Sequence, residues 1–151
     1  MKYQIIHTCD PADISFIHDT LYEYNLKLTG SARQTVSANI YESSQALLLL
    51  GEDNHRYGGM VWHLDKEKNL VAADYFIISD ALRGQGCGIK IFTEFERLAR
   101  ESGMSGITLG TNTFQAPDFY RKMGYTAVEE KHVPQPLVPE NIHYLFVKKF
   151  D

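Results

Sequence analysis

The feature that most limits the fold is a succession of strand, loop, helix and strand in the second half of the chain. A strand pattern at residues 70–79 is followed by a glycine-rich loop at 83–88, and apolar residues then recur at steps of three and four until Gly103. That spacing predicts an amphipathic helix of about 14 residues. A short apolar strand at 106–110 completes a βαβ unit, which requires a parallel pair of strands with a right-handed crossover. The sequence therefore predicts an α/β fold.

An antiparallel meander precedes this unit. Strand patterns at 45–50 and 59–64 are separated from each other, and from the strand at 70–79, by polar turn residues, which favours hairpin pairing. Further upstream, Asp10 and Pro11 suit the N-cap and the first position of a helix. The remaining predicted elements are a strand at 3–8, a helix at 11–29, a second helix at 32–41, a helix at 117–123 and closing strands at 125–130 and 142–150. We expect a mixed sheet of about six or seven strands flanked by about four helices, in a single domain over residues 1–151.

Composition limits the class of function. Of 151 residues, 44% are hydrophobic and 23% are charged, which is the balance of a soluble globular protein. The net charge of −4 argues against a binder of duplex nucleic acid, which would carry a basic surplus. Two cysteines imply no disulfide framework, and no secretory or membrane-spanning segment is visible, so we expect a cytoplasmic protein. The six histidines lack zinc-binding spacing, and we expect no metal site.

The glycine-rich loop has the chemistry of a phosphate cradle. Glycines let backbone N–H groups approach a ligand, and the helix that begins here adds unsatisfied donors and a positive dipole end. Arg83 offers a charge-assisted contact to a phosphate. A Walker A loop is disfavoured because Gly88 is followed by Ile89, and the glycine spacing does not fit the Rossmann fingerprint. The alternative to a phosphate site is a glycine-rich turn that precedes the helix and binds no ligand.

A second polar segment follows the strand at 106–110. Asn112 comes just after that strand, and Tyr120 lies on the short helix predicted next. Because both strands of a βαβ unit end at the same edge of the sheet, we expect the glycine loop and Asn112 to face one crevice. Ligands of open α/β sheets bind in such a crevice.

Together the two segments resemble the GNAT superfamily of N-acetyltransferases, which use acetyl-CoA. The Arg/Gln-x-x-Gly-x-Gly/Ala motif of that superfamily is matched by Arg83, Gly86 and Gly88. Its downstream Asn…Ala-x-x-Phe-Tyr-x-x-x-Gly-Phe/Tyr pattern is matched by Asn112, Ala116, Phe119, Tyr120, Gly124 and Tyr125. The resemblance covers about residues 70–126. It implies the GNAT fold and direct transfer of an acetyl group from acetyl-CoA to a primary amine.

The resemblance also implies roles for individual residues. The loop residues whose backbone would hold the CoA pyrophosphate are Gly84, Gln85, Gly86, Cys87, Gly88 and Ile89. The strand residues that would pair with the pantetheine arm, between two splayed parallel strands, are Phe76, Ile77 and Ile78. Asn112 would bind a pantetheine amide, and Tyr120 is the expected general acid for the departing thiolate. We interpret Cys87 as a packing residue and not as a nucleophile.

The general base is less well defined. Asp74 shares the strand parity of Phe76 and Ile78, so we expect it to reach the crevice directly or through water. The alternatives are His63, Asp65, the pair His143 and Tyr144, and a chain of water molecules.

The sequence does not name the acceptor. In this fold it would contact residues 21–44 and 131–141, with Tyr22, Tyr24 and Asn25 as candidate pocket residues. We expect a small-molecule or peptide amine, and association into a homodimer stays open. The alternative function is a non-catalytic module of the same fold that binds acetyl-CoA or CoA; Tyr120 favours the enzyme, because a binder has no need of it.

Overall fold

A computed structural model describes residues 2–31 and 36–151. Its strands are β1 (Tyr3–Thr8), β2 (Gln45–Gly51), β3 (Arg56–Asp65), β4 (Leu70–Ile78), β5 (Gly106–Asn112), β6 (Thr126–His132) and β7 (Ile142–Lys149). Its α-helices are α1 (Pro11–Thr29), α2 (Cys87–Glu101) and α3 (Pro117–Lys122), and a 3-10 helix covers Asp80–Leu82. The elements predicted outside residues 32–41 are all present, and their ends differ by a few residues at most.

The seven strands form one mixed sheet in the order β1-β2-β3-β4-β5-β7-β6. Neighbouring strands pair antiparallel except β4 and β5, which are connected through α2 and pair in parallel. The predicted meander and the predicted βαβ unit are therefore confirmed.

Helix α1 covers one face of the sheet. Asp10 caps it through a hydrogen bond from the backbone N–H of Ala12 to Oδ1, at 2.9 Å. Gly30 ends it in the left-handed conformation that glycine adopts most easily. Ile14 and Ile17 are fully buried against apolar side chains of β2, β3 and β4. This packing holds α1 against β2, β3 and β4.

Helices α2 and α3 cover the opposite face. The buried side chains of α2 are Cys87, Ile91, Phe92, Phe95 and Ala99. They belong to one core cluster with Trp62 and Phe146 of the sheet, and Phe119 and Tyr120 of α3 pack against it. Full burial of an aromatic side chain of this size contributes about 2–3 kcal/mol. The cluster thereby fixes the first turn of α2, and the glycine loop before it, relative to β4.

The second helix predicted over residues 32–41 is not observed. Residues 32–35 lie outside the described part of the chain, and residues 36–41 are not helical. These residues bond instead to the sheet on the α1 side, where the backbone N–H of Asn39 donates to the Tyr75 hydroxyl at 3.0 Å. The Tyr41 ring also stacks on His63 there. The described residues thus contain three α-helices where about four were expected, because tertiary contacts outweigh a weak local helical signal.

Candidate active site

The parallel pair β4–β5 opens partway along its length. Cα pairing runs from Val71 opposite Ile107 to Ala73 opposite Leu109 and then stops, although both strands continue. The two strands therefore splay, as the resemblance implies. A cleft of about 390 Å³ lies in the opening.

The cleft reaches both faces of the sheet. Leu21 and Tyr24 of α1 line it on one face, and Phe92, Phe119 and Tyr120 line it on the other. The predicted site residues that line it are Asp74, Phe76, Ile77, Ile78, Arg83, Gly84, Gly86, Cys87, Gly88, Ile89 and Tyr120. Gln85 and Asn112 are not among the lining residues. The sequence thus places all but two of its candidates in one cleft.

The glycine loop leaves open space where a ligand would approach. Gly84 and Gly86 have φ angles of 78° and 77°, and among the described residues no heavy atom lies within 4 Å of where a Cβ would stand on either. Gly86 is the N-cap of α2 and makes no side-chain cap hydrogen bond. The first N–H groups of α2 are therefore available as donors, at the positive end of the helix dipole. A diphosphate fits this cradle without displacing a side chain.

Arg83 is held across the edge of the cleft. Its Nε donates to the carbonyl of Ile78 at 3.2 Å and lies 3.0 Å from Oδ1 of Asp80. Its guanidinium lies 4.9 Å from the centre of the Tyr24 ring and donates to the Tyr24 hydroxyl at 3.3 Å. Arg83 thereby connects the glycine loop to α1. Its charge is balanced by Asp80, and a bound phosphate would compete with that carboxylate.

The β4 edge beyond Ala73 faces the cleft without a strand partner on that side. Phe76, Ile77 and Ile78 form this part of the edge and pair with β3 on their other side. Main-chain groups on an unpaired edge can hydrogen-bond to an extended ligand, as they would to another strand. The edge is suited to an amide-containing arm that lies between β4 and β5.

Tyr120 projects from α3 into an aromatic environment beside the cleft. Its ring contacts those of Phe92, Phe119, Tyr125 and Phe146. Within residues 2–31 and 36–151, its hydroxyl has no hydrogen-bond partner. Burial raises the pKa of this hydroxyl well above its usual value. The group therefore keeps its proton at neutral pH and is free to donate it into the cleft.

Asp74 lies at a β-bulge. The register between β3 and β4 shifts at this point and leaves Asp74 without a partner. The extra residue turns Asp74 to the face of His63 and Tyr75, whereas Phe76 packs with the core on the other face. The predicted parity of Asp74 with Phe76 and Ile78 is therefore wrong, because a bulge interrupts the alternation of side chains along a strand. Asp74 nevertheless lines the cleft.

The Asp74 carboxylate is bonded to His63 of β3. Nδ1 of His63 lies 2.7 Å from Oδ2 of Asp74, and the two side chains are 14% and 17% exposed. Burial raises the pKa of the Asp74 carboxyl, and the hydrogen bond from His63 acts in the opposite direction. Among the described residues that line the cleft, Asp74 has the only acidic side chain.

Asn112 faces a network of amides beside the cleft. Its Nδ2 donates to Oε1 of Gln115 at 3.2 Å, and its Oδ1 accepts from Asn141 at 3.0 Å. Gln115 lines the cleft in its place and donates from Nε2 to Oδ1 of Asn25 at 3.3 Å. The sequence motif does not single out Gln115, which lies one residue before Ala116 at a position where any residue type fits the pattern. The resemblance implies that Asn112 binds a pantetheine amide, and in the structure the carboxamide that lines the cleft is that of Gln115.

The other candidate bases lie outside the cleft lining. Asp65 accepts a hydrogen bond from the backbone of Lys68 in a turn. His143 lies opposite Asn112 in the β5–β7 pairing, and Tyr144 stacks on Phe146. His63 reaches the cleft only through Asp74. Of the acceptor-side candidates, Tyr24 lines the cleft, Asn25 bonds to Gln115, and Tyr22 stacks on His18.

The described part of the chain shows neither a metal cluster nor a membrane-spanning helix. No group of three or more His, Cys, Asp or Glu side chains within 2–31 and 36–151 is arranged to hold a metal ion. None of the helices in the described ranges is long and apolar enough to cross a membrane.

Comparison with known protein families identifies the family of this chain. The model of the acetyltransferase (GNAT) domain matches residues 23–135, which is more than half of the sequence. The chain belongs to the GNAT acetyltransferase family. The family match extends beyond the motif region at 70–126 and includes part of α1.

Individual relatives of this GNAT protein are acetyltransferases. Over 76 residues it is 34% identical to the blasticidin-S acetyltransferase of Streptomyces morookaense, a stretch that covers 50% of this chain and 54% of that relative. The chain thus spans about half the length of this relative.

Solved structures show the same fold. The GCN5-related N-acetyltransferase of Kribbella flavida superimposes with a TM-score of 0.75 over 98% of both chains, at 13% identity. A protein described as a streptothricin acetyltransferase from Bacillus anthracis, solved in complex with acetyl coenzyme A, superimposes with a TM-score of 0.61. In that case 74% of this chain and 65% of the other are covered, at 21% identity. The predicted GNAT fold is confirmed.

Proposed function

We propose that this GNAT protein transfers the acetyl group of acetyl-CoA directly to a primary amine of a small molecule. The observation that carries this proposal is the cleft through the sheet, with Tyr120 on one face and Asp74 on the other. A donor that enters from the α2 face and an amine that enters from the α1 face would meet between the splayed strands.

The residues of the cleft fit acetyl-CoA. The open loop at Gly84 and Gly86 and the first turn of α2 would hold the diphosphate. The unpaired β4 edge at residues 76–78 would bond to the amides of the pantetheine arm, with Gln115 as a further polar contact. When bound, acetyl-CoA supplies a thioester carbonyl that is open to attack by an amine.

Asp74 and Tyr120 would handle the protons of the transfer. Asp74 accepts one proton from the acceptor ammonium, which leaves a neutral amine. The amine nitrogen forms a bond to the acetyl carbon as the bond from that carbon to sulfur breaks. Tyr120 gives its proton to the departing sulfur, and the second proton lost by the nitrogen restores Tyr120. The products are an acetylated amine, a free thiol and one proton held by Asp74, which solvent removes.

The acceptor side favours a small cationic amine. The one acidic side chain found in the described cleft lining is Asp74, and the single arginine there is paired with Asp80. Two similar proteins are named for transfer to blasticidin S and to streptothricin, so these two compounds are reasonable first acceptors. Cytoplasmic location and association into a homodimer stay predictions.

Ligand-induced stabilisation tests the donor half of this proposal. Acetyl-CoA at 100 times its Kd should stabilise the protein by about 2.7 kcal/mol, CoA should have a similar effect, and ATP should have little. No shift with acetyl-CoA would contradict both the enzyme and the non-catalytic CoA-binding module. Stabilisation without acetyl transfer to any amine would favour the binding module.

A further inference from the structure

A histidine and a carboxylate form a pair at the bulge of β4. Asp74 Oδ2 lies 2.7 Å from His63 Nδ1, whereas within the described residues Oδ1 of Asp74 has no donor. An ionised carboxylate only accepts hydrogen bonds, so with Asp74 ionised the proton of this bond is assigned to Nδ1 of His63. One oxygen of Asp74 is thus held by the protein, and the other is left for a ligand.

His63 is itself fixed from its other side. The ring of Tyr41 stacks on it with 3.8 Å between centroids and 20° between planes. Tyr41 belongs to a segment that is tied to the sheet by hydrogen bonds from Asn39 to the Tyr75 hydroxyl and from Leu64 to Ser43 Oγ. The imidazole therefore has little freedom to turn away from Asp74.

Asp74 of this His63–Asp74 pair lies in the cleft lining, where a charged acceptor would be recognised. The ionisable groups around Asp74 are His63 of β3, Tyr75 of β4 and Tyr41 of the overlying segment. Elsewhere in the cleft lining they are Tyr24, Arg83, Cys87 and Tyr120. The guanidinium of Arg83 is already paired with Asp80. A cationic amine that enters the described cleft thus meets Asp74 as the one acidic side chain of its lining.

We propose that His63 is a positioning residue that aims Oδ1 of Asp74 into the cleft and keeps this carboxylate ionised, so that the enzyme selects its acceptor as an ammonium cation. The inference rests on the proposed acetyl transfer and adds the reason why Asp74 can bind a cation before it takes up the proton. His63 touches neither substrate in this arrangement. Its effect is transmitted through a single hydrogen bond, as is typical of groups that orient a catalytic side chain.

A direct titration of Asp74 tests the proposal without any acceptor. The Cγ signal of Asp74 is followed against pH by carbon NMR in protein labelled at aspartate, and Asp74→Asn identifies the signal. The midpoint should rise in His63→Leu, which removes the donor, because the hydrogen bond from His63 lowers the pKa of Asp74. His63→Asn, whose amide can donate from nearly the same position, should keep the midpoint close to the original one.

A second His–Asp pair provides the control. Nδ1 of His55 lies 3.0 Å from Oδ2 of Asp53 at an exposed turn outside the cleft between β4 and β5. His55→Leu should leave the Asp74 midpoint unchanged. Stabilisation by acetyl-CoA, retained in every variant, shows that the fold is intact.

Kinetics with streptothricin as the acceptor complete the test. At neutral pH, kcat/KM for streptothricin should fall roughly tenfold or more in His63→Leu, recover in His63→Asn, and leave the Kd of acetyl-CoA unchanged. An unchanged Asp74 midpoint, or equal kcat/KM in His63→Leu, would overturn the role of His63. Failure of the unmodified protein to acetylate any amine would instead count against the proposed function, since the titration does not depend on turnover.

Discussion

At the scale of single residues, burial raises the pKa of two groups that line the cleft, Tyr120 and Asp74, to which the proposed mechanism gives opposite roles. It raises the pKa of the Tyr120 hydroxyl, which therefore stays protonated and can serve as an acid. It also raises the pKa of the Asp74 carboxyl, which makes the ionised form a better proton acceptor. His63 limits the second effect, because its hydrogen bond to Asp74 favours the ionised carboxylate.

The first prediction concerns the Tyr120 hydroxyl. Tyr120→Phe should lower kcat by about 10²–10⁴-fold, the usual contribution of a positioned general acid. The Kd of acetyl-CoA should stay the same, because the ring and its aromatic contacts are retained. Steady-state kinetics and thermal shift with acetyl-CoA measure the two quantities.

Tyr125→Phe is the matched control. Tyr125 lies beside Tyr120 but outside the cleft lining, and its hydroxyl donates to Oε2 of Glu96 at 2.9 Å. Its loss should lower stability by about 1–3 kcal/mol and leave kcat unchanged. Equal kcat in Tyr120→Phe and the unmodified protein would remove Tyr120 from the mechanism.

The second prediction concerns pH. Transfer requires ionised Asp74, so kcat/KM for the amine should fall as the pH drops through the pKa of Asp74, which lies above the ordinary value of about 3.9. A carboxyl whose pKa is higher in the folded than in the unfolded state lowers stability as the pH rises from the unfolded to the folded value, and the full penalty remains at higher pH. Asp74→Asn should therefore abolish the acid limb, reduce turnover and raise or preserve the melting temperature at pH 7. A clearly lower melting temperature would show that the carboxylate serves stability.

At the scale of elements, the site is made by two interruptions of regular structure. The glycine loop leaves the first turn of α2 without a side-chain cap, and the early end of β4–β5 pairing leaves an edge without a partner. Each interruption exposes main-chain donors or acceptors that regular secondary structure would have satisfied. A phosphate and an amide-containing arm are the ligands that suit these two kinds of main-chain group.

The third prediction uses two glycines with the same backbone strain. Gly86 and Gly103 have φ angles of 77° and 85°, and among the described residues no heavy atom lies within 4 Å of the place that a Cβ would take on either. Alanine at either position should cost about 1–2 kcal/mol of folding stability, since both are left-handed. Only Gly86→Ala should weaken acetyl-CoA binding, because Gly103 lies beyond the far end of α2. Titration by calorimetry distinguishes them, and equal affinities would contradict the loop's role.

How far the sequence predicts these elements depends on how local their signals are. The caps of α1, the period of α2 and the glycine loop are encoded within a few residues, and all are confirmed. The bulge at Asp74 is not encoded locally, because it is defined by the register of β4 with β3. Alternation along the strand therefore predicted the wrong face of the sheet for Asp74. For a similar reason, Gln115 lines the cleft, where Asn112 was expected. Which amide reaches the cleft is decided by Asn25 and Asn141, which are distant in sequence.

At the scale of the whole molecule, the proposed function brings the two substrates in from opposite faces of the sheet, and they meet where β4 and β5 splay. Helices α2 and α3 and the glycine loop lie on the face proposed for the donor, and α1 and residues 36–44 lie over the face proposed for the acceptor. The net charge of the chain is −4, and among the described residues that line the cleft one acidic side chain, that of Asp74, is present. On this proposal, selection among amines would depend on the α1 face, which includes residues 36–44, where the predicted helix is not observed.

Acceptor-dependent thiol release is the most direct test of acetyl transfer. The protein is mixed with acetyl-CoA and, separately, with blasticidin S, streptothricin, a diamine and a short peptide with a free N-terminus. Free thiol is measured together with the mass of each amine. We predict that at least one small cationic amine gains a single acetyl group at the rate of thiol release, and that Asp74→Asn and Tyr120→Phe both slow this reaction. Binding of acetyl-CoA with no acetylated amine, or transfer that neither substitution affects, would contradict direct acetyl transfer by these residues.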